Sequence, residues 1–208
     1  MAEVGKNYRK LMSSFLLVLS IFGCQQKTQN NKQINNLESI DKNEKKVDDF
    51  QPEISINKLL YLRDDTSIGK FYKDSKDLIN IDSVRETPVM MFSNKTSDEY
   101  LMAYQYEGDT QNEFSCFEIG YYDGKTKSYV QTDYKKFATE SGLRLGLNLE
   151  EVERIKGKDY VKQDNKIVYQ ISDTNSAFLR NYNMPEYFLE CDLQQNKIVK
   201  IKFGFVYP

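Results

Sequence analysis

No histidine occurs anywhere in the 208 residues. That removes the commonest general base, the commonest metal ligand and every Ser-His or Cys-His pair. Carboxylate, lysine or tyrosine chemistry stays open. Cysteine is scarce, at positions 24, 116 and 191, and the spacing fits no zinc or redox motif. No glycine-rich phosphate loop is present, and Asp48-Asp49 and Asp64-Asp65 lack the spacing of a calcium loop. The net charge is −2 with no basic stripe, so nucleic acid has no electrostatic footprint to meet. These absences point away from an enzyme. No catalytic residue, metal or cofactor is expected.

What is present fits one ordinary domain with tails: 39% of residues are hydrophobic and 29% charged. The 15 Tyr and 12 Phe favour β-structure. Lys6, Arg9 and Lys10 form a basic start, diluted by Glu3, and an apolar run follows from Leu11 to Gly23. A membrane-spanning helix needs about 20 apolar residues, so the run is short for one and reads as a secretion signal. It ends Ser20-Ile21-Phe22-Gly23-Cys24, an aliphatic residue at −3 and a small one at −1 before the cysteine. This resembles the lipobox of bacterial lipoproteins, with Phe22 bulkier than the usual residue at −2. The resemblance implies cleavage after Gly23, diacylglyceryl transfer to the Cys24 sulfur and N-acylation of Cys24. Two or three acyl chains hold a protein on a membrane where one does not.

Residues 24–49 then form the lipidated cysteine and a polar tract rich in Asn, Gln and Lys, with no aromatic residue. It has too little apolar surface to offset the entropy of ordering and is expected to be a disordered tether. As a flexible coil it would span roughly 25–30 Å, enough to hold a domain clear of headgroups. No Asp follows Cys24 directly, which favours the outer membrane of a Gram-negative cell over retention at the inner one. The periplasmic and surface faces both stay open.

Residues 50–208 carry the globular domain, expected to be α+β: an antiparallel sheet with short helices packed on one face. Its C-terminal half has the cleaner pattern. Asn148 is a good N-cap with Glu151 three residues on, the signature of a capping box, and Gly157 suits the helix end. Leu149, Val152 and Ile155 line one face. Lys166 to Ile171 reads as a strand, Ser176 to Tyr182 as a short helix, and Glu186 to Leu193 as a strand with Tyr187, Leu189, Cys191 and Leu193 on one side. Gln194 to Lys197 is a hairpin turn. The last strand is expected to bury Val199, Ile201, Phe203, Phe205 and Tyr207, with Lys200 and Lys202 opposite.

One helix followed by three antiparallel strands, opened by Gly142, Leu145, Gly146, Leu147, Glu151, Val152 and Gly157, resembles the SmpA/OmlA-type small outer-membrane lipoproteins. It also resembles the repeat of the beta-lactamase inhibitory protein. Asn148 stands for the usual Ser or Thr cap. Residues 50–135 and 136–208 then read as two tandem repeats. Ile68-Gly69-Lys70 matches Leu145-Gly146-Leu147. Glu99-Tyr100 matches Glu186-Tyr187. Phe117 to Tyr121 matches Ile201 to Phe205, with Gly120 on Gly204. Such repeats would join into one broad sheet. Cys191 points with Leu189 and Leu193, whereas Cys116 points with Glu118 and Gly120, so two separate thiols are expected unless a bulge reverses one.

Two charged groups invite a chemical reading. Glu150, Glu151 and Glu153 are explained by capping and by the helix dipole. Lys156, Lys158, Lys162 and Lys166 read as a solvated basic run. The tyrosines carry more. Tyr100, Tyr104, Tyr106, Tyr121 and Tyr122 form a candidate binding surface, since Tyr gives large area and a polar tip at low entropy. The expected function is a lipid-anchored envelope module that binds another envelope protein. A carrier of a small ligand, lipid or glycan in a concave sheet is the alternative, and a carboxylate or tyrosine hydrolase is third.

Overall fold

The computed structural model describes residues 50–75, 79–82, 87–124 and 129–206. Gly23, Cys24, the signal and the tether lie outside the described residues, as does Tyr207. A small hairpin, β1 (Ser55–Ile56) and β2 (Leu60–Tyr61), leads to α1 (Ile68–Phe71). Four strands follow: β3 (Ile79–Asp82), β4 (Thr87–Ser93), β5 (Glu99–Tyr104) and β6 (Cys116–Tyr121). After the short β7 (Val130–Gln131) come α2 (Leu149–Lys156), β8 (Val161–Gln163) and β9 (Lys166–Ile171). The chain closes with α3 (Ala177–Tyr182), β10 (Tyr187–Gln194) and β11 (Lys197–Phe205).

Among the described residues one open, mostly antiparallel sheet runs β3-β4-β5-β6-β11-β10-β9-β8. The last strand of the chain thus sits in the middle, against β6. Only β7 runs parallel, beside the end of β4. The fold is α+β, as expected, with few and short helices.

Strand alternation decides the two faces. Leu101, Phe117, Ile119, Ile201, Phe203, Leu189, Cys191, Ile167 and Tyr169 all point to one side and form the core. Ile68 and Phe71 of α1, Val152 of α2 and Leu179 of α3 belong to that same core, so the helices cover this face. α2 starts where its sequence says. Asn148 Oδ1 accepts from Glu151 N at 2.9 Å, and Glu151 Oε2 accepts from Asn148 N at 2.8 Å. Gly157 ends it at φ 80°. Leu149 and Ile155 pack at the core margin. Gln195 and Asn196 turn the β10–β11 hairpin with φ of 50° and 61°.

Three expectations are corrected. Ile198, not Val199, is buried: the register shifts between Asp192 and Leu193, leaving Val199 as an extra residue. The cause is the segment before α2, which docks here. Gly146 N donates to Ile198 O at 2.9 Å and Ile198 N to Leu147 O at 2.8 Å. Gly69 is also unlike Gly146. It lies inside α1, whereas Gly146 turns the chain ahead of α2 at φ 83°. Finally, Tyr100 lies across from Gly120, and Phe188 from Gly204. A match of Tyr100 to Tyr187 is therefore one residue out, and one residue exchanges faces.

Candidate functional site: the open face of the sheet

The face away from the helices carries a second, smaller apolar cluster. Val89, Met91, Tyr104 and Cys116 are buried in it, with Met102, Tyr106, Tyr129 and Phe188 packed around them. Cys116 and Cys191 therefore lie on opposite faces, and no disulfide joins them.

Tyr100 and Tyr104 converge on Glu118. Tyr100 Oη donates to Glu118 Oε1 at 2.9 Å, and Tyr104 Oη reaches Glu118 Oε2 at 3.5 Å and Met102 Sδ at 3.1 Å. Burial, then the Glu118 charge, pushes the Tyr100 hydroxyl well above its ordinary value, so it stays a donor. Its ring stacks on Tyr129 at 5.7 Å, and Tyr122 meets Tyr129 edge-on at 5.3 Å. Across the strands Glu118 faces Met102 of β5 on one side and Lys202 of β11 on the other. The Lys202 ammonium lies 5.3 Å from the Tyr104 ring and 5.9 Å from that of Phe188.

Of the five predicted tyrosines, Tyr100, Tyr104, Tyr106 and Tyr122 are brought to this face or its margin. Tyr104 is only 2% exposed, so it supports the surface from beneath. Tyr121, at 44% exposure, has the opposite parity and reaches towards Gly146 on the helix side. Alternation in the sequence places Glu118 and Lys202 on this face without assigning them to the binding surface, and Phe188, Met91 and Met102 were not singled out in the sequence. The signal for Phe188 was available, since it alternates with the core residues Tyr187 and Leu189.

The other half of the open face is polar and self-neutralising. Lys166 Nζ lies 2.7 Å from Glu190 and 3.7 Å from Asp192, and Lys200 Nζ lies 2.8 Å from Asp192. The hydrogen bond that Lys166 donates to Glu190 leads the causes that raise the Lys166 value. The predicted basic run is thereby split. Lys158 and Lys162 are exposed, Lys166 is paired on the sheet, and Lys156 is buried. The acidic cluster is accounted for locally: Glu151 caps α2, and Glu153 accepts from Tyr160 Oη at 2.7 Å and pairs with Lys158 at 3.4 Å.

Cavities lie elsewhere. One of about 620 Å3 opens between the end of α1 and residues 131–134, lined by Lys70, Lys73, Lys95, Tyr72, Thr132 and Asp133 among others. One of about 480 Å3 sits at the end of α3, by Arg180, Asn183 and Met184. Among the described residues, no three His, Cys, Asp or Glu side chains are placed to hold a metal, and no helix is long and apolar enough to cross a membrane. Comparison of the chain with protein-family models, with curated proteins and with solved structures gives no match.

Proposed function

We propose that the chain is a lipid-anchored cell-envelope protein whose domain is a non-catalytic binding module, and that it engages another envelope protein through the open face of its sheet. The observation that carries this reading is the central strip of that face. Lys202 is held between Tyr104 and Phe188, across from Glu118, with the Tyr100–Tyr129 stack beside it. Aromatic side chains are the residues enriched at interface anchors, and here they frame a charge whose position is fixed by the sheet. The sequence Ile21-Phe22-Gly23-Cys24 supports the anchor, with Cys24 acylated and residues 25–49 giving reach. The absence of Asp after Cys24 favours the outer membrane.

The finer reading of the fold is two tandem helix-plus-strands repeats, as in the SmpA/OmlA type. A helix followed by four strands occurs in each half, α1 then β3 to β6 and α2 then β8 to β11, which supports it, although α3 between β9 and β10 has no counterpart in the first half and each half has four strands rather than three. The antiparallel meeting of β6 with β11 also supports it. With Gly120 matched to Gly204, Glu118 and Lys202 are equivalent residues, and they are directly opposite each other. The mismatch of Gly69 with Gly146 confines the likeness to the strands.

A second reading, a carrier of a small ligand or glycan, is favoured only by the cavity beside Lys70 and Lys73. It is polar, whereas ligand pockets are mainly apolar. The deciding experiment is affinity capture of the lipidated chain from its own membranes, in parallel with Phe188→Ala. A stoichiometric protein recovered by the wild type and lost with Phe188→Ala is the expected result. Equal recovery by both, or none by either, rejects the open face as the binding surface.

A further inference from the structure

Beneath the helices lies a group of charged side chains that the binding face does not use. Lys156, the last residue of α2, places Nζ 2.6 Å from Glu53 Oε1, with the two side chains 2% and 0% exposed. Lys156 Nζ also donates to the Gln51 carbonyl oxygen, and the Phe50 ring lies 5.3 Å away. Ser141 donates twice to the same carboxylate, from Oγ to Oε1 and from the backbone N–H to Oε2 at 3.3 Å. Tyr187 fixes the Glu53 backbone, accepting from its N–H and donating to its C=O, both at 2.9 Å. Glu140 fixes the next residues, accepting from Ile54 N at 2.6 Å and Ser55 N at 2.8 Å. An amine and a carboxyl are thus held in contact, dry, and with their backbones clamped.

We propose that Lys156 and Glu53 join in an intramolecular isopeptide bond, Nζ to Cδ. Moving one proton from the ammonium to the carboxylate across their contact gives a neutral amine beside a neutral acid. The nitrogen lone pair attacks Cδ, the N–C bond forms, and the C=O electrons collect on oxygen. The proton arrives at Oε1, the oxygen in contact with Nζ, which also accepts from Ser141 Oγ and becomes the leaving hydroxyl; the charge collects on Oε2, where the Ser141 N–H lies at 3.3 Å. A proton from nitrogen passes to the hydroxyl, the C–O bond breaks, and water leaves. Amine plus acid gives amide plus water, with no oxidant or other reactant.

Two physical terms drive the step forward. Reacting groups in near-attack geometry reach effective concentrations of about 10⁵ M or more, and here Nζ need only move from its contact with Oε1 to a position over the adjoining Cδ. Replacing two buried charges by one neutral amide also removes their desolvation cost. The bond would fix residue 53, just past the proposed tether, to the end of α2, so that a pull on the tether meets a covalent link. The inference rests on no property of the open face.

The test is peptide mapping of the full chain. The folded protein is purified from membranes in detergent, incubated overnight, denatured and digested with trypsin. The expected product is a branched peptide joining the Glu53 segment to the Lys156 segment, lighter than their sum by one water, with no cleavage after Lys156. Recovery of the two segments only as separate, unmodified peptides overturns the proposal. In Lys156→Arg the branched peptide should vanish, and a dehydrated adduct at Glu53 that persists there also overturns it. If that variant fails to fold, the wild-type map decides alone.

Discussion

The ring of Tyr100 lies on the backbone of Gly120, so closely that a Cβ at position 120 would come within 2.5 Å of the ring. Gly120→Ala should therefore destabilise the domain, by roughly 1–3 kcal/mol, because the ring must leave its stack on Tyr129. Adding Tyr100→Ala should recover part of the loss, a non-additive cycle in chemical denaturation. Gly204, at the matching place in β11, meets backbone instead: a Cβ there lies 2.3 Å from Ser115 O, at φ 149°. Backbone cannot swing aside, so Gly204→Ala should cost more than Gly120→Ala, and no side-chain truncation should rescue it. Equal costs would show that the two glycines do the same work.

The pH dependence should follow the buried carboxyls. Glu140 is raised above its ordinary value of 4.5, first by burial and then by the Glu53 charge. Asp109 is raised above 3.8, again chiefly by burial. A carboxyl with a raised folded value binds more protons folded than unfolded, so it lowers stability as pH climbs from its ordinary value through its folded one. The melting temperature should thus fall on this account between about pH 4.5 and the raised values, the reverse of an ordinary paired carboxylate. Asp98 acts oppositely. Hydrogen bonds from Thr96 and Asn94 lower it, so its contribution is present above 3.8 and lost as the medium is acidified further. Glu140→Gln should flatten this fall above about pH 4.5. An unchanged slope would mean that Glu140 titrates as if exposed. Because burial is the larger cause for Glu140, the sign holds whether or not Glu53 keeps its charge.

The thiols offer a cleaner check of the two faces. Cys116 and Cys191 are fully buried on opposite sides of the sheet, and burial pushes the Cys191 thiol up to about 12. In the folded chain neither should react with a thiol reagent at pH 8, since the thiolate is the nucleophile. Both should react at once in denaturant, and a non-reducing peptide map should contain no link between them. A rapid reaction of one thiol in the native protein would place that residue at a surface.

How far the sequence foretold this differs by region. The capping box at Asn148 and Glu151, the Gln195-Asn196 turn and the faces of β9 and β10 are local, set by residues within a few positions of each other, and all were legible. The bulge at Val199 was not, because it depends on Gly146 and Leu147 docking from fifty residues away in the chain. Nor was the burial of Lys156. A lysine in the last turn of a helix reads as a solvated match to the helix dipole, and only the tertiary approach of Glu53 makes it a core residue. The tyrosine surface was half legible for the same reason. Period-two alternation put Tyr100 and Tyr104 on one face, but nothing local told that Lys202 and Phe188, from the far end of the chain, would complete it.

Lys202 is where stability and recognition can be separated. It contacts Tyr104 and Phe188 and stands across from Glu118 on one side and Glu190 on the other. Lys202→Met keeps the apolar stem over the rings and removes the charge. A partly exposed cation over aromatic rings contributes about 0.5–1 kcal/mol, and each opposite charge across the strands adds about 0.2–1 kcal/mol, so the loss in stability should be about 1–3 kcal/mol. If the ammonium is the fixed charge that a partner reads, capture from membranes should fall by much more than that fraction would suggest. Lys202→Glu goes further. It sets a carboxylate directly opposite two others, and like charges across strands oppose pairing. That variant should melt lower than Lys202→Met, and more so in low salt, where screening is weak. The pattern that supports the open face is a stable Lys202→Met that no longer captures a partner. A stable Lys202→Met that captures normally leaves Lys202 as a strut between two rings, and moves the search for the binding surface to the cavity beside Lys70 and Lys73.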